Sequence, residues 1–122
     1  MNKKILLLSL SLVFALSFIA CEKEAPETVT HDCTNVTPTY ANDIKAIMDN
    51  NCLGSGCHNS NNKAAGIDLS TYSSVSGEAD KAQFRGSIEH LSGFDKMPEN
   101  SSKLATTDLQ KIYCWIESGK PQ

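Results

Sequence analysis

Apolar residues occur along this chain in one long, serine-interrupted stretch and then in three spaced sets. The stretch extends from Ile5 to Ala20. Ile44, Ile47 and Met48 follow at helical spacing, which predicts a first helix starting near Asn42 and Asp43, with Tyr40 as a staple where it begins. Ala82, Phe84, Ile88 and Leu91 form the inward set of a second predicted helix, from Glu78 to Leu91, in which Gly86 is a weak point. Leu109, Ile112, Tyr113 and Ile116 line one face of a last helix, with Thr107 and Gln110 as its capping box and Gly119 and Pro121 marking its end. No stretch alternates apolar and polar residues as a strand would, so the predicted class is all-α.

The first apolar stretch reads as an address. Lys3 and Lys4 precede it, small residues close it, and Cys21 follows, the order of a secretory signal over residues 1–20. Phe18-Ile19-Ala20-Cys21 resembles a bacterial lipobox with Phe18 in the usual leucine position, which makes Cys21 the expected lipidation site. An ordinary signal peptide with an incidental Cys21 is the plainer reading. Residues 21–36 comprise Cys21 and then a stretch beginning Glu22-Lys23-Glu24-Ala25-Pro26, charged and suited to a flexible tether, leaving 37–122 as the folded domain. The acidic residues after Cys21 resemble signals that send some lipoproteins to the cell surface; a solvated spacer would look the same.

Charge narrows the choice of partner. The chain has 11 basic and 14 acidic side chains, and removal of Lys3 and Lys4 leaves 9 against 14. No basic stripe with interleaved aromatics occurs, so nucleic acid is not an expected partner.

The segment Cys52-Leu53-Gly54-Ser55-Gly56-Cys57-His58 carries the chemistry. Two thiols can add across the two vinyl groups of a haem, and an imidazole directly after the second thiol can reach the iron. The common spacing has two residues between the cysteines; here there are four. The extra pair must bulge outward, which Gly54 and Gly56 make easy because glycine accepts positive φ. Three rivals compete with haem for this segment. A zinc site on Cys52, Cys57 and His58 would lack a fourth ligand nearby. A Cys52–Cys57 disulfide would leave His58 free. A nucleophilic Cys-His pair would have no orienting third group.

Five cysteines are an awkward number for a disulfide framework. With Cys21 assigned to lipid and Cys52 and Cys57 to haem, Cys33 and Cys114 remain, and an exported chain permits them to pair. Two separate buried thiols would account for them equally in number. For the iron's second axial position Met97 is the first candidate, in Gly93-Phe94-Asp95-Lys96-Met97-Pro98, where Pro98 biases Met97 to an extended backbone. His90 is the alternative, and His31 falls in the tether. Trp115 could pack on the haem edge or in an ordinary core.

These features together resemble small class I c-type cytochromes, especially the cytochrome c domain lipoproteins of the planctomycete-type group. The resemblance covers about Tyr40 to Gly119: a helix, the Cys-Cys-His segment, the Gly66-Ile67-Asp68-Leu69 turn, Met97-Pro98, and a closing helix with Trp115. It implies a cytochrome c-like domain of three to four helices around one covalent haem c, attached through Cys52 and Cys57 and ligated by His58 and Met97. It also implies that the first and last helices cross, bringing the regions of Cys33 and Cys114 together. Members usually have a proline after the haem segment whose carbonyl orients the proximal imidazole. This chain has none between His58 and Met97, so another carbonyl must take that role.

The expected function is electron transfer rather than enzymatic turnover, with no distal acid–base pair for more than weak peroxidase activity. The expected location is the bacterial cell envelope, anchored by lipid to the outer membrane on its periplasmic face or the cell surface, before the inner membrane. Redox proteins of the envelope are the expected partners. Two further functions compete: a haem-based sensor or ligand-binding module, and a structural lipoprotein without haem.

Overall fold

The computed structural model describes residues 27–122. The expected signal peptide (residues 1–20) and the expected lipidation site Cys21 lie outside them. Among the described residues there are four α-helices and no strand: α1 (Lys45–Asn51), α2 (Tyr72–Ala79), α3 (Ala82–Ile88) and α4 (Thr106–Glu117). The class is all-α.

The helical stretch leading into α1 starts at Thr39, three residues before the position expected. Thr39 Oγ1 accepts the N–H of Asn42, and Asp43 Oδ2 accepts the N–H of Thr39. This reciprocal cap is one residue wider than the usual box. The first turn opens accordingly into a π-turn over Tyr40–Ile44 before α1 proper begins.

The single helix expected over Glu78–Leu91 is two. Thr71 and Ser74 form a capping box that starts α2 ahead of the predicted helix, and Lys81, in extended conformation, separates α2 from α3. The break gives each piece its own axis. Val75 and Ala79 of α2 and Ile88 of α3 all become buried, whereas Ala82, expected inward, is exposed. Phe94 folds back over α3 and its ring occupies the space where a side chain on Gly86 would lie.

On α4 the expected stripe holds: Leu109 and Ile112 are buried, and Tyr113 and Ile116 half-buried. The Thr107 cap does not form. The N-cap is Ala105, without a side-chain hydrogen bond, and Gln110 Nε2 donates instead to the carbonyl of Asp32 at 2.6 Å. The helix closes as a Schellman motif, with Lys120 N–H on the Trp115 carbonyl at 2.8 Å, Gly119 N–H on that of Ile116 at 3.1 Å, and Gly119 at φ +88°.

Trp115 is a core residue. It is fully buried, packs against Tyr40 and Tyr72 with ring centres 6.1 and 6.4 Å away, and donates its indole N–H to the Pro121 carbonyl at 2.8 Å. Around it meet Ile44, Ile47 and Met48 from the α1 region, Leu69, and Leu109 and Ile112 of α4. Lys111 of α4 pairs with Asp43 at 2.9 Å, tying the first and last helical segments at the surface.

Cys33 and Cys114 are disulfide-bonded, closing a loop 81 residues long in sequence separation. The segment predicted as tether up to residue 36 is therefore fastened to the domain in its second half. His31 donates to Glu89 at 2.6 Å and packs at a tilt beside Tyr113, with ring centres 5.4 Å apart. Glu89 is 8% exposed. Its other oxygen lies 2.7 Å from the Lys103 ammonium, an ion pair without the alignment of a hydrogen bond. Burial pushes the Glu89 carboxyl up, yet Lys103 and His31 more than offset this and hold it below the usual range.

Candidate functional site

The helix α1 ends one residue before Cys52, whose N–H still donates to the Met48 carbonyl at 2.8 Å. The helix thus presents Cys52 rigidly, with its side chain packed against the core. From there the chain folds into a compact turn. Cys57 N–H donates to the Gly54 carbonyl and His58 N–H to the Cys52 carbonyl, each at 3.0 Å. The second bond brings the histidine back beside the first cysteine despite the four residues between the thiols.

The glycines have separate tasks. Gly56 adopts φ +79°, which a side chain would strain. At Gly54 a methyl group would sit 3.5 Å from the sulfur of Cys57, so its absence keeps that thiol open on one side. Cys52 and Cys57 are both free thiols, and both are half-buried. Burial, with a smaller contribution from Cys57, pushes the Cys52 thiol up to about 11, so it is neutral at ordinary pH.

His58 is oriented by the backbone. Its Nδ1 donates to the carbonyl of Ile67 at 3.3 Å, while its own carbonyl accepts the N–H of Leu69 at 2.8 Å. The Ile67 carbonyl that receives Nδ1–H follows directly on a short 3₁₀ turn over Ala64–Gly66. With Nδ1 bonded, Nε2 carries the free lone pair and is the ring atom able to bind a metal.

Two unbonded thiols and an imidazole with Nε2 free are the donors that a c-type haem would need from this segment. Cys52 and Cys57 are not bonded to each other. Among the described residues no three His, Cys, Asp or Glu side chains gather so as to hold a metal ion.

Met97 and His90 are neighbours in a second cluster. Met97 N–H donates to the Ser87 carbonyl at 3.0 Å, and His90 Nε2 donates to the Met97 carbonyl at 3.0 Å. This bond ties the His90 ring to the Met97 backbone and leaves its Nδ1 free, and the Met97 side chain is half-buried. Neither hydrogen bond nor ion pair joins this cluster to the Cys52–His58 turn. His31, the remaining histidine, is committed to Glu89.

A cavity of about 190 Å³ lies elsewhere, lined by Ile88, Leu91, Phe94, Leu109 and Ile112 among others; Cys52, Cys57, His58 and Met97 do not line it. Two participants in the turn are not among the residues expected from the sequence. One is the Ile67 carbonyl, since backbone acceptors leave no residue-type mark. The other is Asn59, whose position directly after His58 and turn-forming chemistry were the available cue.

No protein family, no curated protein and no solved structure matches the chain.

Proposed function

We propose that this protein is an electron carrier of the monohaem c type, with haem c attached through Cys52 and Cys57, His58 on one side of the iron and Met97 on the other. A single observation carries the reading: His58 donates Nδ1–H to the Ile67 carbonyl, leaving Nε2 as ligand next to two unpaired thiols on a glycine-bearing turn. When bound, the haem supplies reversible one-electron chemistry between ferric and ferrous iron.

The chain's own residues hold, orient and tune. The stiff end of α1 positions Cys52, the Ile67 carbonyl fixes the imidazole and raises its basicity, and Met97 offers a thioether that favours ferrous iron and raises the potential. His90 donates Nε2–H to the Met97 carbonyl, which leaves Nδ1 with the free lone pair, so His90 stands as the alternative ligand to Met97. A cytochrome c-like arrangement of the helices belongs to the same proposal. So do export by residues 1–20, lipid anchoring at Cys21 to the outer membrane of a bacterial envelope, and redox proteins as partners.

Replacing Met97 by Ala in protein matured with haem-attachment machinery tests the assignment. The sulfur-to-iron absorption at the red end of the spectrum should vanish and the potential should fall. An unchanged spectrum would transfer the role to His90. Carbon monoxide binding by the unaltered ferrous protein without denaturation would point to a sensor instead.

A further inference from the structure

Asn59 uses every hydrogen-bonding position of its side chain within the turn. Nδ2 donates to the carbonyls of Gly54 at 2.9 Å and Leu53 at 3.3 Å. Oδ1 accepts the N–H groups of Asn61 at 3.0 Å and Asn62 at 2.9 Å. Two donors and two acceptor sites are all that an asparagine side chain has. They join the first half of the inter-cysteine segment to the stretch of chain beyond His58, so that the side chain closes a bracket around the histidine.

The bracket acts on the residues that make this motif longer than the common one. Leu53-Gly54-Ser55-Gly56 contains two glycines, and Gly54, Ser55 and Gly56 are exposed, so little packing restrains them. Left to itself such a segment would sample many conformations and vary the separation of Cys52 from Cys57. The Gly54 carbonyl receives both the Cys57 N–H and Asn59 Nδ2, which fixes one peptide plane between the two sulfur-bearing residues.

We propose that Asn59 is the positioning residue that allows two thiols separated by four residues to attach to a single tetrapyrrole. The proposal rests on the haem reading above. In each attachment the thiol sulfur forms a bond to the vinyl carbon next to the ring, and the thiol hydrogen ends on the terminal vinyl carbon. The carbon–carbon double bond becomes single. Nothing leaves and no outside oxidant is consumed, provided both thiols arrive reduced. Two additions on one rigid ring require both sulfurs in place together, which is what the Asn59 bracket secures.

The test compares the unaltered full chain with Asn59→Asp, which keeps the acceptor oxygen and loses both donors. A third chain carries Asn59→Asp with Gly54 and Ser55 deleted, restoring the two-residue spacing. All are matured with haem-attachment machinery, and thioether bonds are counted by peptide mass and by the band position of the pyridine haemochrome. In haem-free protein, hydrogen exchange is followed at the amides of Asn61 and Asn62.

Asn59→Asp should yield at least fivefold less doubly attached haem, with single attachment accumulating, and the shortened chain should recover double attachment. The haem-free variant should keep its helical circular dichroism and its slow exchange at Asn61 and Asn62. Double attachment at the unaltered level in Asn59→Asp overturns the role of Asn59 while leaving the haem reading intact. So does a defect, including loss of the fold, that shortening does not relieve. Absence of covalent haem from the unaltered chain overturns the haem reading and this proposal with it.

Discussion

His58 and Ile67, nine residues apart, are joined by a side-chain-to-backbone hydrogen bond of 3.3 Å from Nδ1 to the carbonyl oxygen. Ile67 can serve because it is itself anchored: its side chain packs against the core, and Gly66 at φ +77° turns the chain just before it. A core contact thus sets the angle of an imidazole at the surface of the domain. In haem-free protein at a pH where His58 is neutral, its ring should therefore carry the proton on Nδ1. Nitrogen NMR distinguishes the two tautomers directly, and a predominant Nε2–H form would show that the Ile67 carbonyl does not orient the ring.

Acid should loosen the pairing of the first and last helical segments. The Lys111 ammonium beside Asp43 holds its carboxyl below the usual value of 3.8, with a smaller contribution from the Thr39 N–H and against a modest effect of burial. A carboxyl lowered by folding stabilises above its unfolded pKa, and this contribution disappears as pH falls through the lower folded value. The window is therefore below about pH 4. Asp43→Asn should cost about 0.5 kcal/mol at pH 7, since the pair is partly exposed. Asp43→Ala also removes the Thr39 cap and should cost about 1–2 kcal/mol. Denaturant titrations at pH 7 and pH 2.5 check this: the difference between Asp43→Asn and the unaltered protein should shrink towards zero at the lower pH.

Removing the disulfide should matter more than removing any surface ion pair. On the chain-entropy model, a closed loop of this length stabilises by about 4.5 kcal/mol, an upper value because unfolded chains retain structure. A Cys33→Ser, Cys114→Ser double variant should lose much of that in denaturant unfolding. It should also free the arm around His31, seen as faster amide exchange at residues 31–36. An arm that stays protected in the double variant would mean that the His31–Glu89 and Gln110–Asp32 bonds hold it unaided.

Much of the helical pattern is legible in the sequence, and the departures from it have physical causes. The apolar stripe and Schellman end of α4 follow from residue type and spacing alone. Thr39 gives no capping-box signal because its partner Asp43 stands four residues on, outside the usual box. The helix α2 is hidden because only Val75 and Ala79 mark its buried face, too few to register as a stripe. His31 has the composition of tether because its partner Glu89 is 58 residues away, and local composition cannot report such a contact. At the candidate site the two thiols and the imidazole announce themselves, along with the glycines between them. The groups that arrange them do not, since one is a main-chain carbonyl and the other a polar residue of common loop type.

Covalent haem is tested most directly by the intact mass of the exported, matured protein, taken together with its pyridine haemochrome spectrum. One haem should survive denaturation and extraction, bound to the peptide that contains Cys52 and Cys57, alongside a lipid on Cys21 and two hydrogens lost at Cys33 and Cys114. A colourless protein whose mass shows Cys52 and Cys57 unmodified, after expression alongside functional haem-attachment machinery, would end the electron-carrier reading.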